Sequence, residues 1–172
     1  MSNPEPSHQQ HRATSPTSVR CAVLTVSDTR TDATDTGGRT IVDLLREHGH
    51  VVVEKAIVRD EPEHVRAFLQ RHVSESDAQI VITTGGTGIT SRDGTYEVVM
   101  SMLDKVLPGF GELFRMLSYE EIGAAAMMSR ACAGKAGGRV LVCLPGSEHA
   151  VRLAMTKLLL PELGHLVREV TR

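Results

Sequence analysis

The 172-residue sequence has no tryptophan, and aromatic residues make up only 3% of it. The core must therefore be aliphatic, and a stacking platform for single-stranded nucleic acid is not expected. The net charge is −2 and the basic residues form no run. We therefore predict no nucleic-acid partner.

Cysteine is scarce, and no long apolar run is present. Cys21, Cys132 and Cys143 are odd in number and share no metal-type or redox-type spacing, so nothing in the sequence suggests a disulfide framework. The eight histidines show no metal spacing either. No apolar run approaches the ~20 residues of a membrane helix, and the first residues lack the apolar core of a signal peptide. We predict a cytoplasmic protein with no membrane contact.

What the sequence does contain is typical of one globular domain. Apolar residues make up 41% and charged residues 23% of the chain. Residues 1–18 are rich in Ser, Pro, His and Gln, a composition that predicts a disordered tail. Residues 19–172 are long enough for a single domain with its own core.

Strand-like and helix-like segments alternate along the chain. The apolar runs that predict strands are 19–26, 51–58, 78–84 and 139–144. The patterns that predict helices lie before Gly49, at 59–73, at 94–106, within 108–123, and from Ala150 with an interruption at Pro161. Residues 129–138 read as a short glycine-rich hairpin or strand. This alternation predicts a three-layer α/β/α domain with a mostly parallel central sheet.

Four polar segments follow the predicted strands, at 27–38, 59–62, 83–95 and 145–148. In sheets of this class, ligands bind beyond the carboxyl ends of the strands. These segments are therefore the candidates for a functional site.

The segment "TTGGTG" contains Gly85, Gly86 and Gly88 between threonines. It lacks the Gly-Lys-Ser/Thr ending of a Walker phosphate loop and the glycine spacing of the Rossmann fingerprint. Its backbone N–H groups could still bind a phosphate or another anion. An ordinary strand-to-helix turn is the competing interpretation.

Asp60 and Asp93 each precede a predicted helix, and either could simply cap it. Placed together at the ends of neighbouring strands, they could instead hold Mg²⁺, which prefers one or two carboxylates plus substrate phosphates. Ser147 could likewise cap the last helix or help to bind an anion there. Arg92, Arg115, Arg130 and Lys135 are either phosphate partners or solvated surface residues.

Six segments give the sequence a family resemblance. "TVSDTRTDATDTGG", "VRDEPE", "TTGGTGITSRDGT", "PGFGELFRMLSYEEIG", "SRACAG" and "LPGS" occur in the order seen in the MoaB/Mog family of molybdenum cofactor biosynthesis. The fourth and fifth segments look most like its MoaB branch. The resemblance covers about residues 20–168. It implies a molybdopterin-binding fold, a homotrimer or homohexamer, and Mg-ATP-dependent adenylylation of molybdopterin to adenylylated molybdopterin and pyrophosphate.

The resemblance also implies roles for individual residues, carried over by position. Asp60 and Asp93 would be catalytic and would hold Mg²⁺, with ATP as co-substrate. The implied substrate-binding residues are Thr84, Gly85, Gly86, Thr87, Gly88, Gly109, Gly111, Glu112, Ser129, Arg130, Pro145, Gly146 and Ser147. The implied nucleotide-binding residues are Ser27, Asp28, Asp35 and Gly37.

Two positions depart from the adenylylating members of the family. Tyr96 and Glu148 stand where those members commonly have proline. Glu148 favours the alternative function, a non-catalytic oligomer that binds or carries molybdopterin, whereas retention of Asp60 and Asp93 favours the enzyme. A generic nucleotide-binding scaffold would explain the glycine segment but not "PGFGE" or "SRACAG".

Overall fold

A computed structural model describes residues 14–172 and contains one six-stranded sheet with the strand order β2-β1-β3-β6-β5-β4. The strands are β1 Arg20–Val26, β2 Val51–Val58, β3 Ile80–Thr84, β4 Lys105–Val106, β5 Cys132–Ala136 and β6 Arg139–Leu144. β2, β1, β3 and β6 run parallel, and β5 and β4 add an antiparallel edge. The mostly parallel sheet predicted from the sequence is confirmed.

Helices cover both faces of this sheet. They are α1 Thr36–Glu47, α2 Pro62–Ser74, α3 Thr95–Met102, α4 Pro108–Ile122, α5 Glu148–Ala154 and α6 Leu160–Thr171. α1, α5 and α6 pack on one face, and α2 and α3 pack on the other, each against its own apolar cluster. The predicted three-layer α/β/α architecture is therefore confirmed.

The helix periodicity in the sequence explains how the layers form. In α1, Ile41, Leu44 and Leu45 lie on one face and are buried. Burying each such side chain contributes about 1.5–3 kcal/mol. Gly49 follows the helix with φ +79°, a left-handed conformation that suits glycine, as predicted for its end.

Two predicted helices differ from the observed ones. The helix predicted at 94–106 ends at Met102, and Lys105–Val106 instead pairs with β5 as the edge strand β4. The last helix is not interrupted at Pro161. The irregularity is a π-helical turn at Met155–Leu159, and Pro161 lies in the first turn of α6, where its missing N–H is tolerated.

At the amino-terminal end, residues 15–17 lie close to α6, and the Ser18 hydroxyl donates to the Gly49 carbonyl at 2.8 Å. Residues 1–13 of the predicted tail lie outside the described residues. Across residues 14–172, no helix combines the length and apolar character needed to cross a membrane.

The chain order places a topological switch point between β1 and β3. From β1, the chain crosses by α1 to β2 on one side, and then by α2 to β3 on the other side. Because these two connections lie on opposite faces of the sheet, a crevice opens at the carboxyl ends of β1 and β3. All four polar segments singled out in the sequence lie along this edge.

Candidate functional site

The glycine turn, residues 84–88, begins at the last residue of β3. Gly85 and Gly86 have φ values of +96° and +63°. A Cβ on Gly85 would overlap the Val26 carbonyl, and one on Gly86 would overlap the Thr95 hydroxyl, so both positions require glycine. Between residues 14 and 172, no intramolecular acceptor is found for the N–H of Gly86 or Thr87. These two donors are therefore available to an anion.

A small cavity lies beside this turn at the switch point. It has a volume of about 90 Å³, well below the ~300 Å³ at which pockets for drug-sized ligands begin. Its walls are Thr25, Val26, Ser27, Arg30, Asp35, Gly37, Thr84, Gly85 and Gly146. The size and the polar lining suit a single phosphate group.

Asp35 stands in the wall of this cavity and is only 1% exposed. Its carboxylate caps α1 through the Gly38 N–H at 2.9 Å, accepts from the Thr25 hydroxyl at 2.9 Å, and pairs with Lys55 at 2.8 Å. Burial acts to raise the pKa of Asp35, but Lys55, the Gly38 N–H and Thr25 outweigh it and hold the pKa below its ordinary value. The predicted nucleotide-binding residue thus has protein partners on both oxygens.

Asp60 follows β2 and does not cap α2, whose N-cap is Glu61 with no side-chain hydrogen bond. The capping interpretation of Asp60 is therefore wrong. Its Oδ1 is buried without a hydrogen-bond partner, as is the Thr95 hydroxyl, and both atoms lie beside the Cα of Gly86. Burial raises the pKa of Asp60, and the charges of Asp93 and Asp28 raise it further.

Asp93 does not cap α3 either, because the N-cap is Gly94 and no side chain bonds to the first turn. Instead, its Oδ2 accepts from the Thr90 N–H at 3.0 Å and from the Thr90 hydroxyl at 2.5 Å. The Thr90 hydroxyl is the main cause of a lowered pKa at Asp93. Asp60 and Asp93 each precede a helix in the sequence, yet their pKa values are shifted in opposite directions.

This donor set fits Mg²⁺. Asp60 supplies a buried oxygen with no partner, and Asp93 supplies a second carboxylate close enough to raise the pKa of Asp60. Nowhere in the described part of the chain do three or more His, Cys, Asp or Glu side chains form a metal cage. Mg²⁺ is commonly held by one or two carboxylates, with substrate phosphates and water completing the shell.

Asp28 and Arg92 link the loops that follow β1, β2 and β3 by hydrogen bonds. Asp28 accepts from the Asp60 N–H at 3.2 Å and from the Arg92 guanidinium at 2.7 Å. Arg92 also reaches Glu61 at 3.3 Å. The Ser27 hydroxyl accepts from the N–H groups of the next turn. The predicted nucleotide-binding residues Ser27 and Asp28 therefore fix the loops around the cavity.

The guanidinium of Arg130 donates hydrogen bonds to carbonyls of the glycine turn. Its Nε donates to the Thr87 carbonyl at 2.9 Å and its Nη2 to the Gly88 carbonyl at 2.6 Å. Glu97 pairs with it from α3, and the Tyr96 ring centroid lies 4.8 Å away. Neither Glu97 nor Thr95 was singled out from the sequence, because nothing in the helical pattern of α3 indicates the contacts they make.

The turn after β6 closes the crevice from the other side. Ser147 caps α5 through the Ala150 N–H at 3.2 Å, as predicted, and Pro145 accepts from the Thr84 hydroxyl at 2.8 Å. Glu148 pairs with Arg152 at 3.1 Å. Its charge is thus partly balanced along α5.

The remaining predicted site residues are distributed over other depressions. Gly111 and Glu112 line a cavity of about 180 Å³ together with Tyr96 and Arg115. Ser129 lines another cavity with Ser147. Gly109 lies in a separate apolar groove between α4 and α6. The structure therefore brings the residues at the strand ends into one site, and the predicted residues of α4 line separate depressions.

Two residues that the sequence did not indicate belong to the strand-end site. Arg30 lines its cavity, and Lys55 pairs with Asp35 in the cavity wall.

Comparison with known proteins agrees with this geometry. The sequence profile described as "Probable molybdopterin binding domain" matches residues 22–165. The fold and the site thus define an α/β domain of the molybdopterin-binding class.

Similar chains extend over nearly the whole sequence. Molybdenum cofactor biosynthesis protein B of Bacillus cereus is 49% identical over 164 residues, covering 95% of this chain and 97% of that protein. A crystal structure of a molybdenum cofactor biosynthesis protein B has a TM-score of 0.87 at 51% identity, covering 90% of this chain and 97% of the other. The tungsten cofactor synthesizing protein MoaB from Pyrococcus furiosus has a TM-score of 0.81 at 36% identity, covering 91% and 99%. This chain belongs to the MoaB/Mog family.

Proposed function

We propose that this chain acts in molybdenum cofactor biosynthesis by adenylylating molybdopterin, with Mg-ATP as co-substrate. The observation that carries the proposal is the buried, unpartnered Oδ1 of Asp60 beside the glycine turn. A buried carboxylate oxygen without a partner is energetically unfavourable unless a bound group completes it. Its position beside unpaired backbone N–H groups suits a cation and a phosphate bound side by side.

In the proposed reaction, a phosphate oxygen of molybdopterin attacks the α-phosphorus of ATP. A new phosphorus–oxygen bond forms, and the bond between the α-phosphorus and the bridging oxygen to the β-phosphate breaks. Pyrophosphate leaves with that bonding pair, and the product is adenylylated molybdopterin. The nucleophile is already anionic, so no serine, cysteine or histidine nucleophile is required.

The task of the protein is then to align the reactants and to balance charge. The N–H groups of Gly86 and Thr87 would bind phosphate oxygens at the turn. The 90 Å³ cavity beside it would receive one phosphate group. Asp60 and Asp93 would hold Mg²⁺, which as a Lewis acid neutralises charge on the phosphates and orients them when it is bound.

We also propose that copies of the chain form a homotrimer or homohexamer. An exposed apolar surface on and after α4 supports this, with Leu113, Met116, Tyr119, Ile122 and Met127 between 48% and 80% exposed. Large exposed apolar patches mark protein–protein contacts. Light scattering during size-exclusion chromatography should give three or six times the chain mass, and a monomer would contradict the proposal.

The test of the enzyme is an anaerobic incubation of the protein with molybdopterin and Mg-ATP, read by mass spectrometry. Adenylylated molybdopterin and pyrophosphate are the expected products. Asp93→Asn should still fold, because Asp93 does not cap α3 and an asparagine oxygen can accept the bonds from Thr90. It should lower turnover at least about tenfold, equivalent to about 1.4 kcal/mol in the barrier. Molybdopterin that is bound but never modified would support the alternative, a carrier protein.

A further inference from the structure

Both edges of the Arg130 guanidinium bond to protein acceptors, and the side chain is 25% exposed. One edge of its guanidinium donates to the Thr87 and Gly88 carbonyls, and the other edge faces the Glu97 carboxylate. The Tyr96 ring packs against it in cation–π geometry. A planar guanidinium has its donors in a fixed fork, so donors directed at these acceptors are not directed at a ligand.

The contact with Thr87 also bears on Asp93. The Thr87 carbonyl and the Gly88 N–H belong to one planar trans peptide unit and point in opposite directions. Arg130 holds the carbonyl end at 2.9 Å. Asp93 lies at the other end, where a Cβ on Gly88 would be 2.5 Å from its Oδ2. Thr90 and then the Gly88 N–H lower the pKa of Asp93. Arg130 and Asp93 thus lie on opposite sides of one peptide group.

We propose that Arg130 is a positioning residue. Held by Glu97 and Tyr96, it fixes the Thr87–Gly88 peptide so that the N–H groups of the turn and the Asp93 carboxylate are aligned for a phosphate-bearing substrate. The identity of that substrate rests on the proposed function, whereas the positioning role does not. The inference also gives Tyr96 a role, as the aromatic ring that packs against the Arg130 guanidinium.

A second arginine in the molecule provides a matched control. Arg71 pairs with both oxygens of Glu54 at 2.8 Å and lies 5.3 Å from the ring centroid of Phe68. It therefore reproduces the carboxylate pair and the aromatic contact of Arg130. It lies on α2 and makes no contact with the glycine turn, so its removal should affect stability but not ligand binding.

The decisive variant is Glu97→Ala, measured by calorimetric titration with Mg-ATP beside Glu54→Ala. If Arg130 were itself a phosphate ligand, removing its carboxylate partner would free it and tighten binding. The positioning role predicts the opposite sign. We expect Glu97→Ala to weaken Mg-ATP binding about tenfold, the effect of about one lost hydrogen bond to a charged group. Glu54→Ala should leave the affinity unchanged, and tighter or equal binding in Glu97→Ala would overturn the proposal.

A second measurement needs no ligand. ¹⁵N relaxation on glycine-labelled protein reports order at Gly85, Gly86 and Gly88. Order parameters of about 0.85 are typical of rigid backbone and values below about 0.6 of flexible backbone. We expect the turn to move from the first range towards the second in Glu97→Ala but not in Glu54→Ala. An equally rigid turn in both variants would contradict the positioning role.

The two proposals can fail separately. If the native protein yields no adenylylated product while Glu97→Ala still loosens the turn and weakens Mg-ATP binding, the proposed function falls and the positioning role stands. If the native protein is active and Glu97→Ala changes neither order nor affinity, the positioning role falls alone.

Discussion

Asp35 and Asp60 lie at the same edge of the sheet, yet their surroundings are opposite. Asp35 is bonded on both oxygens, by Gly38 and by Thr25 and Lys55, and its pKa is lowered. Asp60 keeps a buried oxygen without a partner, and burial with neighbouring carboxylates raises its pKa. The first aspartate stabilises the fold in its charged form. The second is unfavourable in its charged form until something binds, which is the property expected of a ligand site.

The strongest test of this difference between the two aspartates is Asp60→Asn. We expect turnover to fall at least about a hundredfold, equivalent to about 2.7 kcal/mol in the barrier. The free energy of unfolding at neutral pH should stay constant or rise, because an unfavourable buried charge is removed. Steady-state assays and urea denaturation measure the two effects. A variant that loses activity because it unfolds would show that Asp60 is structural.

Asp35→Ala should have the reverse profile. It removes the cap of α1 and leaves Lys55, whose side chain is 19% exposed, without its buried partner. We expect the free energy of unfolding to fall by about 2 kcal/mol, the upper end for a lost N-cap. Asp32→Ala is the control, because Asp32 pairs with the same lysine but is 92% exposed, and exposed pairs contribute about 0–1 kcal/mol. Equal losses in both variants would contradict a special role for the buried cap.

The two aspartates should also respond oppositely to pH. Asp35 has a lowered pKa, so its stabilisation is complete above the ordinary value of about 3.9 and disappears as pH falls through its folded-state pKa. Asp60 has a raised pKa, so its unfavourable charge appears as pH rises from about 3.9 through its folded-state pKa. Urea denaturation from pH 3 to 7 should show the native protein losing stability relative to Asp60→Asn as pH rises. The native protein should gain stability relative to Asp35→Ala as pH rises towards about 3.9. A stability difference that does not change with pH, in either comparison, would rule out the corresponding pKa shift.

The smallest expected effect is on metal binding without substrate. Mg²⁺ alone should raise the Tm of the native protein by about 2 °C, because binding offsets the Asp60 charge and favours the folded state. The shift should be absent in Asp60→Asn and present in Asp32→Ala. Differential scanning calorimetry with EDTA as the baseline makes this measurement, and a shift that persists in Asp60→Asn would place the metal elsewhere.

Local pattern was sufficient for most of the architecture. The runs at 19–26 and 139–144 are nearly continuous in apolar residues, which is the pattern of strands covered on both faces. The end of α1 at Gly49 and the cap at Ser147 follow from residue chemistry within one turn. The edge strand Lys105–Val106 was missed because its partner, β5, lies some 30 residues further along the chain and determines its conformation.

The alternation of strands and helices, the aliphatic core and the polar segments at the strand ends all follow from local sequence, because periodicity and turn chemistry act over a few residues. It also carried the family resemblance that the comparisons confirmed. Only the tertiary structure distinguished Asp35 from Asp60 and turned Arg130 towards the Thr87 and Gly88 carbonyls. The charge state and the partners of a buried group depend on atoms brought together from distant segments, and no local pattern contains that information.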